Sequence, residues 1–354
     1  ADDHTFTLVR LDHQACVYRP LAKYETDRTL HWDTYIRGAL DPEFPQEILV
    51  PLNTQFVVPE IAGETDRTYV LAAASSFSGT ALSMVFYDMI PYSLAEACVE
   101  VMPKMFSQYM LIVKRAQRIS TISESVAEDL TGFFTAVKNQ GLTPPAVRAD
   151  VLPVQATVVS TETISRNEPA ITAVPGLPIV LYVSSIEPRK NHVNLLTASE
   201  ELWREGLGFQ LLLIAGSGWK RENCDEQLAE LREAGRPIKV IQQADESLLW
   251  SAYRLARFTV FISVTEGFGL PAAESIATGT PVLLSNFGSM REIGEGGGAE
   301  FVDPRNSTQL TTAMRRLLTD DDHLAQLRAE AKSRTLPTWD NYAAQTWKWL
   351  VDGK

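Results

Sequence analysis

Cysteine is scarce in this chain of 354 residues, with only Cys16, Cys98 and Cys224, odd in number and far apart. They show no disulfide framework and no CxxC zinc pattern, which leaves reduced thiols in a cytoplasmic compartment as the default. Histidine is nearly as rare. His4, His13, His31, His192 and His323 follow no HExxH or other ligand spacing, so no metal is expected. Long apolar runs are missing too: stretches such as IVLYV and LLLIA stop at about seven or eight residues, far short of a bilayer span. A cationic start followed by an apolar core and a cleavage site is absent, so a signal peptide is not expected, and an opening on Ala1 rather than Met points to trimming or processing. Positive charge is also in deficit, with 32 Lys and Arg against 44 Asp and Glu and a net charge of −12. That balance excludes a nucleic-acid partner, whose affinity rests largely on cations. Any phosphate must be met by local cations.

The length suits two domains, each burying its own core. The stretch around which the chain is organised runs from Phe258 to Ser285: FTVFISV, TEGFGLPAAESIATG and TPVLLS. An apolar β-branched run, a turn with two glycines, an amphipathic segment closed by Gly279 and a second apolar run read as strand, loop, helix and strand. Pro271 fits the first turn of that helix, where its missing N–H is not needed. Gly267 and Gly269 let the backbone before it approach a ligand closely. The amides at the helix start suit an anion. Glu266 and Glu274 frame the loop, and a carboxylate one turn into the helix can accept from two vicinal hydroxyls, as an acid does for a ribose.

Upstream the pattern is less regular. HTFTLVRLD reads as a strand and YETDRTLHWDTYIRGAL as a helix, both weakly periodic. QEILVPL, TYVLAAA and LSMVFYDMIP read as short buried strands, the last closing on Tyr87 and Asp88 before a proline turn. Residues 101–118 place Lys104, Lys114, Arg115 and Arg118 at helical spacing with Met and Phe and no acid. Such a helix either packs its apolar side inward with solvated cations outside or lies on anionic lipid. RISTISES reads as a strand followed by a helix from about Ser125. Between 139 and 178, prolines including Pro144, Pro145, Pro153 and Pro169 argue against a long helix, and the segment reads as a last strand, VRADVLPV, plus a linker and hinge.

The second half alternates cleanly: PIVLYVS, QLLLIAG, IKVIQ, FTVFISV and TPVLLS are strands separated by helices near 192–206, 224–234, 246–257 and 271–279. That is a doubly wound parallel α/β sheet with ligands expected at the carboxyl ends of its strands. At the first such end stand Arg189 and Lys190, two adjacent cations of the kind a diphosphate leaving group needs as charge grows on the departing oxygen. Asp320–Asp322 form a DxD string, but it follows a helix and reads as a solvated break. The closing PTWDNYAAQTWKWL reads as a helix capped by Thr338, its tryptophans facing a partner surface.

The string Glu266-Gly-Phe-Gly-Leu-Pro with Glu274, together with Glu187-Pro-Arg-Lys-Asn191, resembles the motifs of the retaining nucleotide-sugar glycosyltransferases of family 4. The resemblance covers about residues 84–350 and is dense between 180 and 304. It implies two Rossmann-like domains facing each other across a cleft, the GT-B arrangement. The acceptor-side domain would occupy 1–160, a linker 161–177 and the nucleotide-sugar domain 178–335, with 336–354 packing back on the first domain. It implies transfer of a hexose, mannose first, from a GDP- or UDP-linked donor to a saccharide or lipid-linked saccharide hydroxyl, without a metal cofactor. The setting it implies is polysaccharide biosynthesis in the cytoplasm, at the inner face of the membrane if 101–118 contacts lipid.

By this resemblance Arg189 and Lys190 neutralise the diphosphate, the amides of Phe268, Gly269 and Leu270 beside Gly267 support phosphate or sugar, Glu274 holds the ribose and Glu266 contacts the donor sugar. Gly216 falls in a glycine-rich turn, Gln243 in a turn under the base, and Asp88 in a His-Asp pair whose histidine is here Tyr87. The glycine-rich loop expected after the first strand is not found: either it was lost or remodelled, or the chain begins after it. An epimerase or phosphorylase on the same scaffold, and a non-catalytic nucleotide- or carbohydrate-binding protein, remain open on the sequence alone.

Overall fold

The computed structural model describes residues 5–30, 45–138, 141 and 143–353. A hairpin of β1 (Val9–Asp12) and β2 (Val17–Pro20) leads into α1 (Lys23–Leu30). The remainder of the helix expected over 24–40 lies outside the described residues. The first lobe continues with β3 (Gln55–Val58), α2 (Thr65–Phe77), β4 (Ala81–Phe86), α3 (Ile90–Ser93), α4 (Val101–Val113), β5 (Arg118–Thr121), α5 (Glu124–Val137) and β6 (Ala146–Ala149). Its four strands are parallel in the order β3-β4-β5-β6.

After α6 (Thr161–Ile171) the second lobe runs β7 (Ile179–Ser185), α7 (His192–Arg204), β8 (Gln210–Gly216), α8 (Glu222–Glu233), β9 (Ile238–Gln242), α9 (Glu246–Leu255) and β10 (Phe258–Phe261). It continues with α10 (Leu270–Ala277), β11 (Val282–Ser285), α11 (Gly288–Gly294), β12 (Ala299–Val302), α12 (Ser307–Thr319) and α13 (Asp321–Ser333). Its six strands are parallel in the order β12-β11-β10-β7-β8-β9. In β7, Val180 and Tyr182 enter one core while Ile179 and Leu181 enter another. Both faces of the sheet are therefore covered, as a continuous apolar strand requires.

Two Rossmann-like lobes thus face each other. The chain then returns: α14 (Trp339–Trp347), capped by Thr338, and a last π-helical turn over Lys348–Asp352 lie on the first sheet. Ser83 Oγ donates to the Leu350 carbonyl at 2.8 Å, Trp349 Nε1 to that of Ile119 at 3.0 Å, and Arg148 stacks over the Trp349 ring. Trp339 stays half-exposed, so it does not join that surface.

Several local expectations are corrected. TYVLAAA belongs to α2, with Thr68 and Leu71 buried one turn apart and Tyr69 exposed. QEILVPL makes a single bridge, Leu49 to Tyr18, with Ile48, Val50 and Leu52 exposed. The strand beside β4 is instead QFVV, β3. The segment marked as linker by its prolines holds α6, with Pro169 two residues before its end. That helix is kept by tertiary contacts: Ile171 is fully buried, and Asn167 donates to Ser247 and Ser251 of α9 at 3.0 Å each. Helix α4 turns Phe106, Tyr109, Met110, Ile112 and Val113 inward and leaves Val101, Lys104 and Met105 exposed.

Candidate active site

The carboxyl end of β7 passes through Glu187 into a single 3-10 turn, Pro188–Lys190, and then α7. The loop after β10 lies beside it. Arg189 Nη1 contacts Glu266 Oε2 at 2.6 Å and the Thr265 carbonyl at 3.2 Å, while Lys190 Nζ holds Glu266 Oε1. Both cations expected to face a diphosphate are therefore gathered on one carboxylate. A second acid completes the group: Glu187 takes Arg189 Nε at 3.1 Å and Nη2 at 2.9 Å and accepts from Ser185 Oγ at 2.6 Å. Glu187 and Lys190 are buried. Two cations against two carboxylates leave the cluster neutral, a condition for holding four charges away from water.

Gly267 bridges this cluster to the first lobe. A Cβ there would sit 2.6 Å from the Tyr87 carbonyl oxygen, 3.0 Å from Asp88 Cβ and 3.3 Å from Asp88 Oδ2. The close approach that this glycine permits is here by protein backbone. Asp88 Oδ1 accepts from the Ile90 amide at 2.9 Å. The two facing carboxyls are driven apart in pKa. Burial pushes Asp88 up, with the Glu266 charge adding to it. Burial acts on Glu266 as well, but Lys190 and Arg189 outweigh it and hold that carboxyl below its ordinary value. Opposed shifts of neighbouring acids are how sites assign a proton holder and a fixed anion. Tyr87 directs its hydroxyl to the Pro59 carbonyl at 2.6 Å.

Gly269, with φ of +109, turns the chain into α10 against the Phe261 ring and Ile293. Phe268 is buried and Leu270 half-exposed. Glu274, one turn along, accepts from the Tyr253 hydroxyl at 2.7 Å. Gly216 ends β8 in open space, whereas Gly218 lies where a Cβ would sit 1.8 Å from the Ile186 carbonyl oxygen, so Gly218 is the glycine that this turn requires. Gln243, exposed and with φ of +60, follows β9, two strands from β7.

The residues that join the lobes carry no local signal for that role. Ser123 Oγ caps Val126 and donates to the Gly267 carbonyl at 2.7 Å; Glu292 accepts from the amides of Glu124 at 2.9 Å and Ser125 at 2.6 Å. Trp219 Nε1 donates to the Ala97 carbonyl at 2.8 Å. Among the described residues no three His, Cys, Asp or Glu side chains gather as a metal site, and no helix is long and apolar enough to cross a membrane.

Residues 164–334, which carry the Glu187, Arg189, Lys190, Glu266 and Glu274 positions, match the family described as Glycosyl transferases group 1. The match supports a group 1 glycosyltransferase. Among the relatives of this chain, the serotype-specific mannosyltransferase WbdA of Escherichia coli is 27% identical over 250 residues, 68% of this chain and 29% of WbdA. The O-antigen chain mannosyltransferase B of the same organism is 32% identical over 172 residues, 47% of this chain and 44% of that protein. This chain therefore spans less than half the length of either. In three dimensions it resembles the sucrose-phosphate synthase of Thermosynechococcus elongatus, with a TM-score of 0.61, 20% identity and coverage of 83% and 71% of the two chains. It also resembles Anabaena Alr3699/HepE in complex with UDP and glucose, with a TM-score of 0.59, 17% identity and coverage of 76% and 70%. The GT-B fold inferred from the motifs is the fold observed.

Proposed function

We propose that this chain carries a retaining family 4 hexosyltransferase that moves mannose, as the first candidate sugar, from a nucleotide-diphosphate donor to a hydroxyl of a saccharide or lipid-linked saccharide. The observation that carries the reading is the meeting of Arg189 and Lys190 with Glu266 at the carboxyl ends of β7 and β10, facing Asp88 across the cleft. The mannosyltransferase relatives support the choice of sugar.

In this reading residues 178–335 hold the donor and 1–160 the acceptor, with 161–177 joining them and 336–354 clamping the two. Glu266 holds Lys190 ready until a diphosphate competes for it. As the glycosidic bond breaks, Lys190 and the remaining guanidinium N–H stabilise the charge on the leaving oxygen. From the moment the donor binds, Glu266 contacts its sugar, Glu274 holds the ribose, and the amides of Phe268, Gly269 and Leu270 support the phosphates or sugar. Gly216 and Gln243 border the base and phosphate side. Asp88 orients a hydroxyl at the seam. The departing phosphate takes the acceptor's proton on the face it leaves, which retains the anomeric configuration. No metal takes part, and the reaction belongs to polysaccharide assembly in the cytoplasm.

Thermal shift with GDP and UDP tests the donor: at a hundred times its dissociation constant the correct nucleotide adds about 2.7 kcal/mol of stability. Transfer from GDP-mannose to a mannoside acceptor in EDTA, with the product anomer read by NMR, tests the rest. An inverted product, a requirement for a divalent ion or turnover without acceptor rejects the corresponding part.

A further inference from the structure

Tyr253 lies in α9 with no exposed surface, and its hydroxyl reaches out of the core to Glu274 Oε2 at 2.7 Å. We propose that Tyr253 is the positioning residue of the ribose site: by holding Oε2 from inside, it presents Oε1 of Glu274 to the vicinal diol of a nucleoside diphosphate. The inference rests on the donor reading above and extends it to a residue that makes no donor contact itself.

The tyrosine is fixed at both ends. Its carbonyl accepts from Thr280 Oγ1 at 2.8 Å, and its ring packs on Trp250 at 5.7 Å between centroids. Thr280 belongs to a buried hydroxyl chain in which Thr259 donates to Ser275 at 2.7 Å and Ser275 to the Thr280 carbonyl at 2.9 Å. Thus α9, β10, α10 and the turn before β11 are pinned together, and the direction of the Tyr253 hydroxyl is set by the fold. The donor and acceptor roles are equally fixed. Burial, then the charge of Glu274, raise the phenol well above its ordinary value, so it keeps its proton. Burial also raises Glu274, and the tyrosine hydrogen bond opposes that rise.

A glutamate on a helix surface samples several rotamers, and ordering it on a ligand costs entropy at the moment of binding. Anchoring one oxygen beforehand removes part of that cost and leaves the second oxygen with its lone pairs in one direction. A carboxylate held in this way suits two adjacent hydroxyls better than a single one.

The test is calorimetric binding of GDP and UDP, their 2′,3′-dideoxy counterparts and inorganic pyrophosphate to the wild type, Tyr253→Phe, Glu274→Gln and the double variant. Tyr253→Phe is expected to weaken the ribonucleotide about tenfold, the scale of a hydrogen bond to a charged group. It should leave the dideoxynucleotide and pyrophosphate unchanged, and the double variant should bind no worse than Glu274→Gln. In turnover, donor KM should rise while kcat holds. An equal loss on ribo- and dideoxynucleotide, or no loss on either, overturns the positioning role while the donor reading stands. A wild type that binds none of the probes overturns both.

Discussion

Ser123 of the first lobe donates its hydroxyl to the carbonyl of Gly267 in the second at 2.7 Å, and the bond is buried. The residue that caps α5 thereby also holds the loop carrying Glu266. The contact between the lobes and the placement of the Glu266 loop therefore share one hydrogen bond.

Lys190→Ala removes an ammonium held on Glu266 within a buried cluster. Glu266 keeps Arg189, so the protein remains folded, with a lowered melting temperature. Transfer should fall by about a hundredfold or more, the usual effect of losing one preorganised electrostatic group. Near-normal turnover in a steady-state assay would remove Lys190 from the mechanism.

Gly267→Ala places a methyl group 2.6 Å from the Tyr87 carbonyl oxygen, so backbone must move. The expected response is a parting of the lobes, at a cost of about 1–3 kcal/mol for an overpacked contact. Small-angle scattering should show a larger radius of gyration than wild type. An unchanged radius and unchanged turnover would mean that the seam yields without opening.

Glu292→Ala deprives the amides of Glu124 and Ser125 of their acceptor across the cleft. The loss should cost about 1 kcal/mol, as for other helix-start partners. Hydrogen exchange at those two amides should accelerate, while Val126 stays protected by the Ser123 cap. Uniform exchange along α5 would assign Glu292 no part in holding the lobes together.

His192 provides a pH test. Its pKa is lowered to about 4 by burial first and then by the charges of Lys190 and Arg221, against an ordinary value of 6.5. The native state disfavours the imidazolium, so stability from the neutral ring is present above pH 6.5 and is lost as pH falls towards 4. The shift amounts to about 3 kcal/mol across that window. Urea melts of wild type and His192→Gln between pH 7 and 4 should converge by that amount, and parallel curves would show that the imidazole titrates normally.

Legibility differed between the halves for a physical reason. In the second lobe the central strands β7, β8, β10 and β11 are largely apolar because both faces of their sheet are covered, and α7, α8 and α10 end within two residues of a glycine, so period and punctuation agree. In the first lobe TYVLAAA carries strand-forming residues yet is helical, since Thr68 and Leu71 lie on the face that meets the core. QFVV, four residues long, becomes a strand only by pairing with β4. Helix α6 tolerates Pro169 because its contacts with α9 hold it. Such long-range compensation leaves no local mark.

The doubly wound second half, the chemical types at its strand ends and the loops that carry them are legible in the chain alone, because periodicity, glycine placement and charge are local properties. Folding in three dimensions is what makes Lys190 and Arg189 share Glu266, Glu187 clamp the guanidinium, Gly267 face Tyr87 and Asp88, and Tyr253 reach Glu274. Apart from the local Glu187–Arg189 contact, those pairings join residues far apart in sequence that only the packing of loops and lobes brings within bonding distance, and the burial that shifts Asp88, Glu266 and Tyr253 exists only in the folded chain.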